Sequence, residues 1–94
     1  MYKLTKDIGK LIQIYYENIE LGSDEIREMY EGISKSAIQG LKRKARKVMV
    51  EQEISHWDAN KVSTECAYTA WGLDIADLEK RFQKLQKFKR TTGG

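Results

Sequence analysis

This 94-residue chain contains no proline, and three of its glycines, Gly22, Gly32 and Gly72, separate stretches whose apolar residues recur every three or four positions. Proline is the residue least compatible with a helix interior. A three-to-four residue apolar period is the mark of one buried helix face. Together these features constrain the chain to an all-α fold, a small domain of about five helices over residues 1–90, followed by a flexible tail at 91–94.

The first helix is expected over 5–21, with Thr5 as N-cap, Ile8, Leu11, Ile12, Tyr15 and Ile19 on one face, and Gly22 as its stop. Ser23 is the expected cap of the second helix. Asp24 and Glu25 in its first turn oppose the positive end of the helix dipole, Ile26, Met29 and Tyr30 form its apolar side, and Gly32 ends it. The third opens at the cap Ser34 and carries Ala37, Ile38, Leu41, Ala45, Val48 and Met49 on one stripe. It extends to about residue 53, unless 48–55 forms a short wing-like strand, which the run Val48-Met49-Val50 also suits. Asp58 is read as the cap of a fourth helix over 59–71, which buries Val62, Cys66, Ala67, Ala70 and Trp71. Asp74 caps an amphipathic fifth helix over 74–90, in which Ile75, Leu78, Phe82 and Leu85 make a heptad seam about two repeats long.

Charge is distributed unevenly. Residues 1–32 hold four basic and seven acidic groups, 33–56 six and two, and 57–94 seven and five. The net charge of +3 is modest; its segregation favours an oriented approach to a polyanion over a uniformly sticky surface. No apolar run is long enough to span a bilayer or serve as a signal peptide. Cys66 is the only cysteine, which excludes an intramolecular disulfide and the usual four-ligand zinc patterns. A cytoplasmic protein is expected.

The segment Gly32-Ile33-Ser34-Lys35-Ser36-Ala37-Ile38-Gln39 resembles the turn and the start of the recognition helix in Cro- and repressor-like helix-turn-helix DNA-binding proteins. Gly32, Ile33 and Ile38 match the family's turn glycine and its flanking apolar positions, and Leu41 supplies the next core position. Ile26 and Tyr30 of the preceding helix fit with a turn one residue longer. The likeness covers residues 23–47. It implies a sequence-specific double-stranded DNA-binding protein, a small transcriptional regulator of phage or mobile-element type, whose third helix enters the major groove. Lys35, Ser36 and Gln39 are then the candidate base readers, since glutamine pairs with adenine and lysine with guanine acceptors. Lys42, Arg43, Arg46 and Lys47 are candidate phosphate contacts, which set register and salt dependence.

The C-terminal seam either covers the domain's own core or pairs with a second copy through Ile75, Leu78, Phe82 and Leu85. A homodimer would present two recognition helices to half-sites about one turn of DNA apart. Two other functions fit the same sequence. One is a protein-interaction module, an adaptor or inhibitor that engages a partner through the C-terminal helix; the other is a DNA packaging or replication accessory protein. His56 reads as a connection residue, Cys66 and Trp71 as core, and Trp57 and Tyr68 as weaker candidates for base stacking. No phosphate-binding glycine loop, nucleophile elbow or His-Glu-x-x-His pair occurs, so neither enzyme activity nor a cofactor or metal is expected.

Overall fold

A computed structural model describes residues 2–92 of the chain. The order of elements is β1 (Lys3–Leu4), α1 (Ile8–Glu17), β2 (Glu20–Leu21), α2 (Ser23–Met29), β3 (Tyr30–Glu31), α3 (Lys35–Glu51), β4 (Val62–Ser63), α4 (Thr64–Ala70) and α5 (Ile75–Thr92). The domain is mostly helical. Its short strands are an addition to the all-α expectation: β1 pairs antiparallel with β3, and β2 with β4.

The strands shorten two helices relative to the sequence reading. Asp7 rather than Thr5 caps α1, its carboxylate accepting from Lys10 N at 3.1 Å, and the helix closes at Glu17. There the Asn18 side-chain amide donates to Ile14 O at 2.9 Å, and Ile19 lies outside the helix, exposed rather than on its apolar face. Residues 20–21 are then free to pair with 62–63. Gly22 is accordingly the N-cap of α2 instead of a helix stop. The Glu25 carboxylate reaches back to accept from Gly22 N at 2.7 Å, which satisfies one of the amides left unpaired at a helix start. The same strand pairing moves the start of α4 from residue 59 to Thr64, with Ser63 as its cap. Val62 is fully buried as expected, but in a strand, where its β-branched side chain is favoured.

Residues 48–51 belong to α3, and no strand forms in 48–55. The helix ends in a Schellman closure: Glu53 N donates to Val50 O and Ile54 N to Met49 O, with Glu53 at φ 57°. At the end of α4 the same closure uses Gly72 at φ 76°, with Leu73 N donating to Tyr68 O. Asp74 caps α5 as expected, accepting from Ala76 N and Asp77 N. Thr91 and Thr92, expected in the flexible tail, are helical, and Gly93 and Gly94 lie outside the described residues.

The core draws on α1 (Leu11, Ile14), α2 (Ile26, Met29), α3 (Ile38, Leu41, Ala45, Met49) and α4 (Cys66, Ala67, Tyr68), joined by Leu21 and Val62 from the paired strands. Polar groups inside it find partners. Tyr68 Oη donates to Leu11 O at 2.6 Å and Trp71 Nε1 to Leu41 O at 2.9 Å. Both residues therefore serve packing. Cys66 is buried, and its thiol lies 3.7 Å from Gln52 Oε1.

α5 packs along α1. Tyr16 hydrogen-bonds Glu79, and Phe82 crosses Gly9 so closely that a Cβ there would meet the ring at 3.0 Å. Because Glu79 meets Tyr16 while Phe82 meets Gly9, the two helices run antiparallel. At about 1.5 Å per residue, the part of α5 after Phe82 continues roughly 15 Å beyond the start of α1. The longest dimension of the molecule is 49 Å. No helix among the described residues is long and apolar enough to cross a membrane.

Candidate nucleic-acid interface

α3 alternates what it buries and what it offers. Ile38, Leu41, Ala45 and Met49 follow the helical period and face the core, as the sequence indicates. Ser34 caps the helix, its hydroxyl accepting from Ala37 N at 3.2 Å. This capping occupies the serine without hiding its neighbours. Lys35, Ser36 and Gln39 are all exposed, and Arg43, Lys44 and Lys47 continue the exposed side toward the C-terminus. Between Lys35 and Val50 there is no acidic residue.

Lys42 departs from its expected place. Its side chain is 5% exposed, and its ammonium donates to Ser23 Oγ at 3.0 Å and to Asn60 O at 2.9 Å. Burial lowers its pKa from the ordinary lysine value, and the nearby charge of Arg46 lowers it further. Lys42 therefore ties the start of α2 and the loop before β4 to α3, and is withdrawn from the outer basic face. Arg46 is half-buried and turns the same way, with a guanidinium nitrogen 3.4 Å from Ala59 O. The phosphate candidates thus split into Arg43 and Lys47, which face outward, and Lys42 and Arg46, which hold the loop.

That loop, residues 52–61, is exposed throughout yet well anchored. The Glu20 carboxylate accepts from Trp57 N at 2.9 Å and Asp58 N at 3.1 Å. His56 Nδ1 lies 2.8 Å from Lys61 O, and Asp58 accepts from Asn60 N at 2.9 Å. His56 and Asp58 are thus turn-forming groups; Asp58 does not cap a helix. The loop leaves Trp57 77% exposed. Fixed backbone under an exposed indole is an arrangement that the sequence, which loses its period here, did not disclose.

Three more contributors were missed. Arg27 of α2 lines, with Ser23, Lys35, Ile38 and Gln39, a shallow depression between α2 and α3. Lys44 simply belongs to the run of bases. Gly40 also lies on the outer side, spaced from Ser36, Arg43 and Lys47 by helical intervals, and a Cβ placed on it would meet nothing within 4 Å. Glycine inside a helix is destabilising relative to alanine by roughly 0.5–1 kcal/mol, and among the described residues no neighbour requires it here.

α2 and α3 are joined by residues 30–34, with Gly32 at φ 75°, a conformation favoured by glycine. Tyr30 is buried in this connection and packs edge-on against Trp71 and Tyr2. Its burial raises its phenol pKa to about 12, with the Tyr2 phenol adding to the effect. The seam residues Ile75, Leu78 and Phe82 are half-buried on their own domain, whereas Leu85 is 39% and Phe88 63% exposed. Among the described residues no group of three His, Cys, Asp or Glu side chains is placed to hold a metal ion. No protein-family model matches the chain, and neither a curated protein nor a solved structure is significantly similar to it.

Proposed function

We propose that the protein binds double-stranded DNA with α3 in the major groove, α2 and α3 acting as a helix-turn-helix, and that it serves as a small cytoplasmic regulator of transcription. The observation that carries this reading is the outer side of α3. From Lys35 to Val50 it is basic, free of acid and exposed, while its inner side is built into the core. A helix held this rigidly can present side chains to base edges without first having to be ordered. Lys35, Ser36 and Gln39 would read bases, Arg43 and Lys47 would contact phosphates, and Arg27, Lys44 and Lys61 would widen the positive field. Lys42 is reassigned to support. Gly40 would let the groove wall approach the helix, and Trp57 would flank it on the anchored loop. This activity needs no cofactor.

The test is fluorescence anisotropy with mixed genomic duplex fragments at roughly 50 and 200 mM salt. Wild type should lose about a hundredfold or more in affinity across that range, as expected for several phosphate contacts. The folded Arg43→Glu/Lys47→Glu variant should show no measurable binding. Absence of wild-type binding at low salt would remove the DNA reading. The exposure of Leu85 and Phe88 favours, as a second reading, an adaptor or inhibitor that binds a protein through α5. In that case partner binding survives the α3 variant and fails in an α5 variant.

A further inference from the structure

We infer that the projecting end of α5 docks into an apolar, acid-rimmed groove on a second copy of the chain, so that the protein forms a reciprocal dimer. The inference does not rest on the DNA reading: the dimer could form without binding duplex, and the reverse.

The groove consists of two adjoining depressions of about 590 and 420 Å³ that share Tyr15 and Glu65 as walls. Ile19, 66% exposed, Ile54, 37% exposed, and Tyr16, 65% exposed, supply much of its apolar lip. Its titratable lining includes the carboxylates Glu65 and Asp74, and among the described residues no lysine or arginine lines either depression. Glu65 and Glu79 also help to raise the pKa of the Tyr15 phenol above its ordinary value, after the larger effect of burial. The site is therefore apolar at the lip and negative in charge. Isolated apolar residues on a surface require no explanation, but three of them gathered at one groove mark a contact site.

The end of α5 has the complementary character. From residue 80 onward the chain carries lysine and arginine without a single acid. Leu85 and Phe88 are three residues apart, hence on one side of the helix, and both are exposed. Lys84 and Lys89 flank them in sequence. A basic helix end with two apolar anchors suits an apolar groove with acidic walls.

The occupant cannot come from the same chain. Ile75, the first residue of α5, lines the groove, and α5 then runs along α1 as one continuous helix. About 15 Å of helix separates Ile75 from Leu85 and about 20 Å separates it from Phe88, so the anchors are carried away from their own groove. A second copy can supply them, and two copies can do so mutually with two-fold symmetry, each end seated in the other's groove. The self-pairing expected from Ile75, Leu78, Phe82 and Leu85 is thereby revised, because the first three residues are already half-buried on their own domain.

The test measures molar mass by light scattering and sedimentation equilibrium, from about 5 to 500 µM protein, for wild type, a tail variant (Leu85→Asp/Phe88→Asp) and a groove variant (Ile19→Lys/Glu65→Lys). Circular dichroism and the thermal midpoint establish that each variant is folded. If a double variant is not, Phe88→Asp or Glu65→Lys alone replaces it. Wild type should be a dimer at the upper concentrations. Each variant alone should dissociate at least about tenfold more readily, and an equimolar mixture of the two should regain dimer, because one intact tail then meets one intact groove. A wild type that stays monomeric throughout would overturn the inference. So would a groove variant that dimerises like wild type, which would indicate α5 paired with α5. Loss of duplex binding in the tail variant without any change in mass would likewise overturn it, placing the basic end on nucleic acid.

Discussion

α3 and α5 are nearly equal in length, 17 and 18 residues, and each combines a row of bases with an apolar stripe. In sequence they look interchangeable. In the fold α3 is held by α2, α4, β4 and the loop before it, while α5 lies chiefly along α1 and then outruns it. The difference shows that a basic amphipathic pattern does not determine a helix's role; the number of neighbours does. A helix gripped from several sides can hold side chains at fixed positions for recognition. A helix gripped on one side and projecting offers an accessible contact surface instead.

The sharpest break in this comparison should come from truncating one apolar residue in each helix. Met49 is 1% exposed, so Met49→Ala should cost about 3 kcal/mol in urea unfolding. Leu85→Ala should cost about 0.5 kcal/mol or less in the monomer. Equal losses would show that α5 is as deeply integrated as α3.

Within α3, adjacent residues should differ almost as much. Lys42→Glu places a carboxylate against Asn60 O in a buried site and should destabilise the protein by roughly 2–4 kcal/mol. Arg43→Glu should alter stability by no more than about 0.5 kcal/mol. Comparable midpoints for the two variants would contradict the supporting role of Lys42.

Alkaline titration tests the aromatic packing between the N-terminus and α4. The phenols of Tyr30 and Tyr68 have pKa values raised by burial, that of Tyr30 to about 12. Their folded-state values exceed the unfolded value near 10, so the stability they contribute is complete below pH 10 and is lost as pH rises through the folded values. For Tyr30 the loss should be on the order of 2 kcal/mol between about pH 10 and 12, and Tyr30→Phe should flatten that limb. Lys42 has the opposite sign. Its folded pKa lies below 10.5, so just under that pH the unfolded chain holds more protons and stability rises with pH. A stability curve for wild type that falls no more steeply above pH 10 than that of Tyr30→Phe would refute the tyrosine assignment.

The smallest effect separates fold from function. Gly40→Ala should stabilise α3 by about 0.5–1 kcal/mol, since a Cβ there meets nothing. If duplex presses against this side of the helix, the same substitution should weaken DNA binding severalfold. Stabilisation with unchanged affinity would place the contact elsewhere on α3.

Much of the helical architecture was legible because its signals are local. The caps Ser34 and Asp74, the stop at Gly72 and the core stripe of α3 depend on residues within one or two turns of each other. The errors fell where a distant segment competed. The pairing of residues 20–21 with 62–63 shortened α1 and α4, because backbone groups that could have continued a helix found partners about forty positions away. The anchored loop was illegible for the same reason: Glu20 holds the amides of Trp57 and Asp58 across the same distance in sequence.

The candidate site divides along the same line. By itself the sequence determined that α3 would be a helix with an apolar inner stripe, which follows from a period of 3.6 residues, and that lysine and arginine would predominate over its remaining positions. It could not determine whether a base at the edge of that stripe is buried or reaches solvent. Lys42 and Arg43 are neighbours separated by about 100° of helix rotation: Lys42 stands one turn from Ile38 and Ala45, at the edge of the stripe, whereas Arg43 lies on the opposite side. The tertiary structure settled the place of Lys42 by bringing Ser23 and Asn60, 19 and 18 residues distant, to its ammonium. A buried charge requires hydrogen-bond partners, and only the fold delivers them to one lysine and leaves the adjacent arginine exposed.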